Sequence, residues 1–404
     1  MKLKSKIWIC ILAVLYMFMK MSFTVNAEED VLSLYAKSAV LMDADSFRVL
    51  YSVNADEKMA MASTTKIMTL LVTLENADLN SVVTISDYAA SMPDVQLNCR
   101  SGEQYYLKDL VYSMMLESHN DSAVAIAEHV GGSVEGFAKM MNEKAREIGC
   151  RNTWFITPNG LDASEVIMTQ NGEEEVTHGT TAKELACIMS YCITKSEVKD
   201  TFLEITRTPG HTFTDLSGKR IFSCTNHNAL LTMLSDAVSG KTGYTGKAGY
   251  CYVGAAKKDG KTLVVALLAC GWPNHKTYKW KDTLKLMDYG FENYGKFDLN
   301  QIEIPKEYLD AVTVTDFDNR KSTVKIRQEK QEDEILMRQD EKIILKCQRI
   351  RQISAPVQKG EIVGTIGYYC GDECVKELTL ELGEDIKKAG FWDIYQKIAE
   401  YWKL

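Results

Sequence analysis

The sequence predicts an α+β domain, followed by a small all-β domain and a terminal amphipathic helix. Strand-like runs near both ends of the first 296 residues enclose a middle in which apolar residues recur with helical spacing. After about Phe297 the chain consists mostly of short strand-like runs separated by proline and glycine. Segregated strands and helices are typical of α+β architecture rather than of an alternating α/β fold.

The elements of the α+β domain, which extends from about residue 36 to residue 296, follow from local patterns. Residues 38 to 51 are predicted to form a β-hairpin with a turn near Asp45 and Ser46. Apolar spacing predicts a helix from Ser63 onward and further helices at 106–115, 123–130, 134–148, 180–193 and 279–294. Residues 163 to 179 are polar and are predicted to form an exposed loop. The runs 250–256 and 262–270 are predicted to pair as a second hairpin.

The smaller domain is predicted over residues 297 to 383. Its strand-like runs are 312–315, 322–326, 343–350, 361–368 and 376–382. A charged run at residues 329 to 334 indicates a turn or an exposed face.

The N-terminus has the pattern of a secretory signal peptide over residues 1 to 27. Three lysines precede a short apolar run at residues 7 to 19, and Val25, Asn26 and Ala27 form a cleavage site. Lys20 ends the apolar run early for a membrane span, so an uncleaved anchor is the weaker alternative. The pattern therefore predicts export.

Charge and cysteine usage argue against several classes of function. The net charge is −8, and cleavage after Ala27 would remove four lysines and no acids, which argues against nucleic-acid binding. None of the eleven cysteines forms a cluster with zinc spacing, and neither a metal nor an organic cofactor is predicted. Cysteines in apolar runs are predicted to be buried thiols, namely Cys187, Cys192, Cys251 and Cys270. Cys370 and Cys374 could bridge a hairpin.

The strongest candidate for chemistry is the segment from Ser63 to Lys66. Residues three apart on a helix are neighbours, so Lys66 would lie beside the Ser63 hydroxyl. A serine hydroxyl needs a base to become a nucleophile, and a lysine can be that base if its charge is suppressed. The pattern alone is weak, because Ser196 and Ser322 also precede a lysine by three residues. A serine that opens a helix is also most often only a cap.

Two later motifs strengthen this interpretation. Ser118-His119-Asn120 lies between two predicted helices, and Lys241-Thr242-Gly243 stands just before the second hairpin, where Lys241 would open a strand. Ser-x-x-Lys, a Ser/Asn motif and Lys-Thr-Gly in this order are the set found in penicillin-binding proteins and class A β-lactamases.

The chain resembles the serine-type D-alanyl-D-alanine carboxypeptidases, the low-molecular-mass penicillin-binding proteins. The similar segments are residues 42–45, 59–66, 120–123, 158–161, 241–245 and 355–360. Phe47 departs from the pattern, since the family usually has glycine in this hairpin. The resemblance implies a β-lactamase/transpeptidase-like catalytic domain over residues 28 to 296, with an antiparallel sheet and helices. It also implies peptidoglycan stem peptides as substrate and β-lactams as inhibitors.

The resemblance assigns a role to each motif residue. Ser63 would attack the carbonyl between the two terminal D-alanines, and Lys66 would take its proton while the nearby Lys241 lowers the pKa of Lys66. Ser118 would relay that proton to the leaving amine, and Asn120 would orient Lys66 and hold the substrate amide. Lys241 and Thr242 would bind the terminal carboxylate of the substrate. The N–H groups of Ser63 and of Tyr244, which follows Gly243, would stabilise the oxyanion.

Two other functions fit parts of the pattern. A β-lactamase of the same fold would need a deacylating glutamate, and Glu165 or residues 173 to 175 are candidates that lack a surrounding motif. A non-catalytic, penicillin-sensing cell-wall protein is the other alternative, which the complete set of motifs disfavours. No Gly-x-Ser-x-Gly motif is present, and none of the six histidines is needed for the predicted chemistry.

Residues 384 to 404 are predicted to form an amphipathic helix. Its apolar stripe consists of Ile386, Phe391, Ile394, Tyr395, Ile398, Tyr401 and Trp402. Lysines are available to flank the stripe, which suits a membrane surface, and the resemblance implies the same anchor. We therefore expect the protein at the outer face of the cytoplasmic membrane or in the cell wall. A helix packed on the β domain is the alternative.

Overall fold

The computed structural model describes residues 32–170, 172–316, 319–327 and 333–402. The predicted signal peptide lies outside these residues, as does most of the charged run that begins at residue 329.

A five-stranded antiparallel sheet forms the centre of the first domain, in the order β2-β1-β11-β10-β9. Its strands are β1 (Ser38–Asp43), β2 (Val49–Val53), β9 (Ala237–Thr245), β10 (Gly249–Lys258) and β11 (Lys261–Leu268). Both predicted hairpins are confirmed by the pairing of β1 with β2 and of β10 with β11. The position predicted for Lys241 is wrong, because Lys241 lies within β9, an edge strand, and not at the opening of a strand.

The helices surround this sheet. They are α1 (Lys66–Asn76), α2 (Asp87–Ala90), α3 (Leu107–Leu116), α4 (Asn120–Gly131), α5 (Val134–Ile148), α6 (Ala182–Thr194), α7 (Lys199–Arg207), α8 (Leu230–Met233) and α9 (Tyr278–Asn293). Each helix predicted from apolar spacing is present to within a few residues. The first is preceded by one 3-10 turn, Ala62–Thr65.

Helices cover both faces of the sheet. In β1, Met42 accepts a hydrogen bond from Ser190 of α6, while its neighbour Leu41 lies against Gly290 of α9. Consecutive residues of a strand point to opposite faces, so α6 and α9 lie on opposite sides. This explains why every residue of β1 is buried and why the strand is almost continuously apolar.

Three further two-stranded antiparallel sheets belong to this domain. They are formed by β3 (Val82–Thr84) with β4 (Gln104–Tyr106), β5 (Ser164–Thr169) with β6 (Gly172–Thr177), and β7 (Gly210–Thr214) with β8 (Ile221–Thr225). The prediction of a loop at residues 163 to 179 is therefore wrong, although the predicted exposure of this segment is confirmed. Cross-strand backbone bonding outweighs the low strand propensity of the glutamates, which occupy exposed positions of β6.

The second domain consists of three small sheets. Their orders are β12-β16, β14-β13-β18 and β15-β20-β19-β17. The strands are β12 (Gly295–Asp298), β13 (Val312–Thr315), β14 (Arg320–Ser322), β15 (Val324–Ile326), β16 (Glu334–Met337), β17 (Ile343–Arg349), β18 (Gln352–Ser354), β19 (Ile362–Cys370) and β20 (Glu373–Leu382). The run predicted at 322–326 is divided at Thr323, because β14 and β15 belong to different sheets. The domain boundary at residues 296 and 297 stays a prediction, and β12 extends across it.

Arg48 joins the two domains. Its guanidinium is buried and donates to the carbonyl of Leu336, to Glu341 at 2.6 Å and to the Cys370 sulfur at 3.1 Å. Phe47, the departure noted above, adopts a φ of 62° in the turn that presents Arg48. The sequence left open whether Cys370 and Cys374 form a disulfide. They do not, and the ten cysteines of the described residues are free thiols. Three of the four cysteines predicted to be buried are buried, and the fourth, Cys187, is half-buried.

The C-terminal helix α10 (Phe391–Tyr401) begins later than predicted. Ile386 is buried in the core of the β domain, and its backbone pairs with Val357. Residues 384 to 390 therefore belong to the β domain. The helix begins where Asp393 accepts a hydrogen bond from the Gly390 N–H at 2.7 Å.

Candidate active site

Ser63 lies in the 3-10 turn that leads into α1. The preceding Ala62 has a φ of 48°, and a Cβ on Gly160 would stand 2.0 Å from the Ala62 carbonyl oxygen. Only glycine permits this approach, so the segment around Gly160 fixes the turn from one side. β9 fixes it from the other side, since a Cβ on Gly243 would lie 2.9 Å from the Ser63 nitrogen.

Lys66 is fully buried one turn after Ser63. Its Nζ lies 2.9 Å from Ser63 Oγ, 3.0 Å from Asn120 Oδ1 and 2.6 Å from the Asn159 carbonyl oxygen. Burial, and secondarily the charge of Lys241, lowers the pKa of Lys66 well below its usual range. A neutral amine has two N–H donors, which match the two carbonyl acceptors. Its lone pair is then left for the Ser63 hydroxyl proton.

The second motif begins in the connection between α3 and α4, and its Asn120 is the first residue of α4. Ser118 has a φ of 69°, and its Oγ accepts a hydrogen bond from Lys241 Nζ at 3.0 Å. The Asn120 amide donates to the carbonyls of Pro93 and Asp94, each at 3.1 Å. These bonds fix the amide so that its oxygen points to Lys66.

Lys241 reaches the site from β9. It is 3% exposed, and its Nζ donates to Ser118 and, at 3.0 Å, to the Thr242 carbonyl. No carboxylate of the described residues forms an ion pair with it, and burial lowers the pKa of Lys241 to about 7. The charge of Lys241 is therefore not neutralised by the protein and can bind an anionic ligand.

These residues meet at a groove of about 470 Å³. Ser63, Ser118, Thr242, Gly243 and Tyr244 line it, while Lys66, Asn120 and Lys241 make the contacts described above with the lining serines or with each other. The structure therefore brings together all eight residues that the sequence predicts for the site.

Comparison with known proteins agrees with this geometry. Residues 23–270 match the family model described as D-alanyl-D-alanine carboxypeptidase, and residues 310–388 match that of the penicillin-binding protein 5 C-terminal domain. The carboxypeptidase DacF of Bacillus subtilis is 32% identical over 91% of this chain and 90% of its own length. The chain belongs to the D-alanyl-D-alanine carboxypeptidase family.

Solved structures of similar proteins have the same fold. Penicillin-binding protein 5 of Haemophilus influenzae superposes with a TM-score of 0.66, covers 88% of this chain and 99% of its own, and is 24% identical. A mutant of the Streptomyces K15 DD-transpeptidase has a TM-score of 0.55, 29% identity and coverage of 64% and 99%. The predicted family, fold class and serine carboxypeptidase activity are thus confirmed, and the chain is a low-molecular-mass penicillin-binding protein.

The glutamates considered for a β-lactamase do not line the groove of this carboxypeptidase. Glu165 accepts a hydrogen bond from the Trp154 indole at 2.7 Å, and residues 173 to 175 lie on the exposed strand β6. None of them is among the residues of the groove.

Other residues near the site were not found from the sequence. His178 is buried and lies 2.9 Å from Thr65 Oγ1, which donates to the Ala62 carbonyl in the serine turn. Its Nδ1 accepts from the Ile156 N–H at 3.0 Å, and burial lowers the pKa of His178 to about 3. A neutral His178 thus connects the serine turn to the segment before Asn159. A single histidine outside any motif gave no signal for this role.

Proposed function

We propose that the chain removes the terminal D-alanine from peptidoglycan stem peptides through an acyl-enzyme on Ser63. The observation that carries this proposal is the buried amine of Lys66, which lies 2.9 Å from Ser63 Oγ with its two N–H groups directed to carbonyl oxygens. In this arrangement the amine is a proton acceptor for the serine.

The reaction has two stages. Ser63 Oγ attacks the carbonyl carbon of the penultimate D-alanine while its proton moves to Lys66. The C–N bond then breaks, and the proton passes from Lys66 to the leaving amine through Ser118, which is hydrogen-bonded to Lys241. A water molecule subsequently attacks the acyl carbon and gives a proton to the neutral Lys66. Lys66 returns this proton to Ser63 Oγ as the acyl C–Oγ bond breaks, which releases the shortened peptide and restores the serine.

The N–H groups of Ser63 and Tyr244 would stabilise the oxyanion of both tetrahedral intermediates. The close approach of Gly243 to the Ser63 nitrogen supports this assignment, because it places the start of the helix beside β9. A direct test of the function is D-alanine release from a peptide ending in D-Ala-D-Ala. Release without a longer product in the presence of an amine acceptor identifies hydrolysis rather than peptide transfer.

Lys241→Ala should reduce kcat/KM at least tenfold more for a peptide with a free C-terminal carboxylate than for its C-terminal amide. The reason is that a charge-assisted hydrogen bond to the carboxylate contributes roughly 1.5–3 kcal/mol. The matched control is Lys247→Ala, which removes an exposed lysine from the turn that follows β9. Equal losses for the acid and the amide would show that Lys241 acts only through the pKa of Lys66.

The pH dependence of kcat/KM should have a descending limb with a midpoint near 7. Lys66 acts as a base only when neutral, and its lowered pKa satisfies this condition at neutral pH. Lys241 binds the carboxylate only when charged, and this charge is lost as the pH rises through its pKa of about 7. Rates measured from pH 5 to 9 test this, and Lys241→Arg should move the descending limb upward because a guanidinium stays charged. A wild-type profile that is flat up to pH 9 contradicts the assignment.

We also propose that α10 holds the exported enzyme at the outer face of the cytoplasmic membrane. Its large apolar residues are mostly exposed, including Phe391 (76%), Trp392 (71%), Tyr395 (57%) and Tyr401 (89%). Among the described residues, no helix has the length and apolar character needed to span a bilayer. An interfacial helix with exposed aromatic residues is the arrangement that fits these features.

Residues 28–404 should float with anionic liposomes, whereas residues 28–390 should remain in the soluble fraction. This truncation is better than one at residue 384, because Ile386 is part of the β-domain core. A full-length control with Trp392→Ser and Tyr395→Ser should also lose flotation. Flotation of both the full-length and the shortened protein would place the anchor elsewhere.

A further inference from the structure

Lys279 is a buried cation of the active-site groove to which the reaction described above gives no role. Its side chain lines the groove but is only 7% exposed. Nζ donates to the Lys276 carbonyl at 2.6 Å and lies 4.8 Å from the ring centroid of Tyr250. Within the described chain, no carboxylate forms an ion pair with Lys279. Asp282, the acid one turn further along α9, instead accepts from the N–H groups of Tyr35 and Ala36.

The position of this charge favours a bound anion. Lys279 is in the first turn of α9, which contains no acidic residue. The positive end of the helix dipole repels a cation there and favours an anion. Burial also lowers the pKa of Lys279, which reflects the cost of keeping the charge without an acidic partner.

The geometry of β9 relates Lys279 to the substrate. Tyr250 pairs directly with Tyr244, and the two rings are 4.7 Å apart, so both point to the sheet face that carries α9. Tyr244 is three residues after Lys241, about 10 Å along a strand. When the terminal carboxylate lies at Lys241 and the scissile carbonyl at Ser63, the preceding part of the peptide extends past Tyr244.

A peptide that adds to the edge strand β9 directs alternate side chains to each face of the sheet. The side chain beside Tyr244 then points toward Tyr250 and Lys279. The rings of Tyr244 and Tyr250 form an aromatic surface there, and the cation of Lys279 lies at its end. This suits an alkyl chain that carries a terminal carboxylate.

We propose that Lys279 is a specificity residue that binds a carboxylate on the side chain preceding the D-alanyl-D-alanine terminus. This inference rests on the proposed function, since it uses the orientation of the stem peptide at Ser63. It adds to that function a preference for one chemical class of stem peptide. A lysine that only supported Tyr250 and Trp280 through cation–π contacts would not discriminate between substrates.

The test uses three peptides of the form X-D-Ala-D-Ala. The side chain of X ends in a carboxylate, the matching carboxamide or an amine. For the wild-type protein, kcat/KM should be about tenfold higher for the carboxylate than for the carboxamide, and lower still for the amine. Lys279→Gln should bring the carboxylate-to-carboxamide ratio close to one, whereas Lys279→Arg should keep it well above one.

The matched control is Lys281→Met, which removes an exposed lysine from the same helical turn and should keep the wild-type ratio. A wild-type ratio near one, or an unchanged ratio in Lys279→Gln, overturns the inference. If the wild-type protein releases D-alanine from none of the peptides, the proposed function fails instead. In that case, acylation rates for β-lactams with carboxylate or carboxamide side chains measure the same ratio without peptide turnover. If Lys279→Gln does not fold, the acylation rates of the wild-type protein and of Lys279→Arg test the inference.

Discussion

Ser63→Ala should abolish D-alanine release and covalent acylation by benzylpenicillin, with a loss of at least about 10⁴-fold. The change removes the only hydroxyl that lies within hydrogen-bond distance of Lys66 Nζ among the described residues. The rest of the site should persist, because Lys66 keeps its bonds to Asn120 and Asn159. The loss is therefore chemical and not a consequence of unfolding.

Mass spectrometry of peptides from the penicillin-treated protein should place the adduct on Ser63. The matched control is Ser196→Ala, which changes a serine that also precedes a lysine by three residues and should leave acylation intact. An adduct on any other residue contradicts the assignment. The adduct should also persist, because the glutamates considered for deacylation lie outside the groove. Rapid multi-turnover hydrolysis of nitrocefin would favour the β-lactamase alternative.

The sequence was most informative where chemistry restricts the residue types. Ser63, Lys66, Ser118, Asn120 and Lys241 belong to short motifs. The structure places Lys66 within hydrogen-bond distance of Ser63 and Asn120, and Lys241 within hydrogen-bond distance of Ser118. In the catalytic domain, helices with a clear apolar stripe were also assigned to within a few residues, because burial of one face determines both their period and their length. These predictions depend on local patterns only.

The errors arose where tertiary contacts decide the structure. Lys241 lies within a strand because β9 pairs with β10, yet Lys-Thr-Gly has no alternating apolar pattern. Ile386 fits the helical stripe of the tail by its spacing, but the β domain buries it beside Val357. Asn159 acts on Lys66 through its backbone carbonyl, and a side-chain motif cannot indicate such a contact.

The site depends on the convergence of distant segments rather than on any one helix. The serine turn, the first residue of α4 and the segment around Asn159 each provide one contact to Lys66. Lys241 is contacted by Ser118, which precedes α4, and by the Thr242 carbonyl of the edge strand β9. Two buried lysines that lack acidic partners would ordinarily destabilise a protein. Here their burial lowers the pKa of both amines, and this shift allows one to act as a base at neutral pH.

Lys66→Met and Lys66→Arg should each reduce acylation by about 10³-fold, the effect expected for loss of a general base. Methionine has no lone pair that can accept the serine proton at this position. Arginine keeps a positive charge and two or more donors for Asn120 and Asn159, but its guanidinium does not lose a proton in proteins. The pair of variants therefore separates proton acceptance from positive charge.

Stability measurements show whether the loss of acylation results from unfolding of the variant. In Lys66→Met, removal of a fully buried amine relieves its desolvation, while the two carbonyl oxygens lose a donor. Each of these opposing effects is on the order of 1–3 kcal/mol, so the unfolding temperature should change by only a few degrees. If Lys66→Arg instead retains a tenth or more of the wild-type acylation rate, Lys66 acts through its charge on the oxyanion. The serine proton must then be taken through Ser118, the other hydroxyl held by a lysine in this groove.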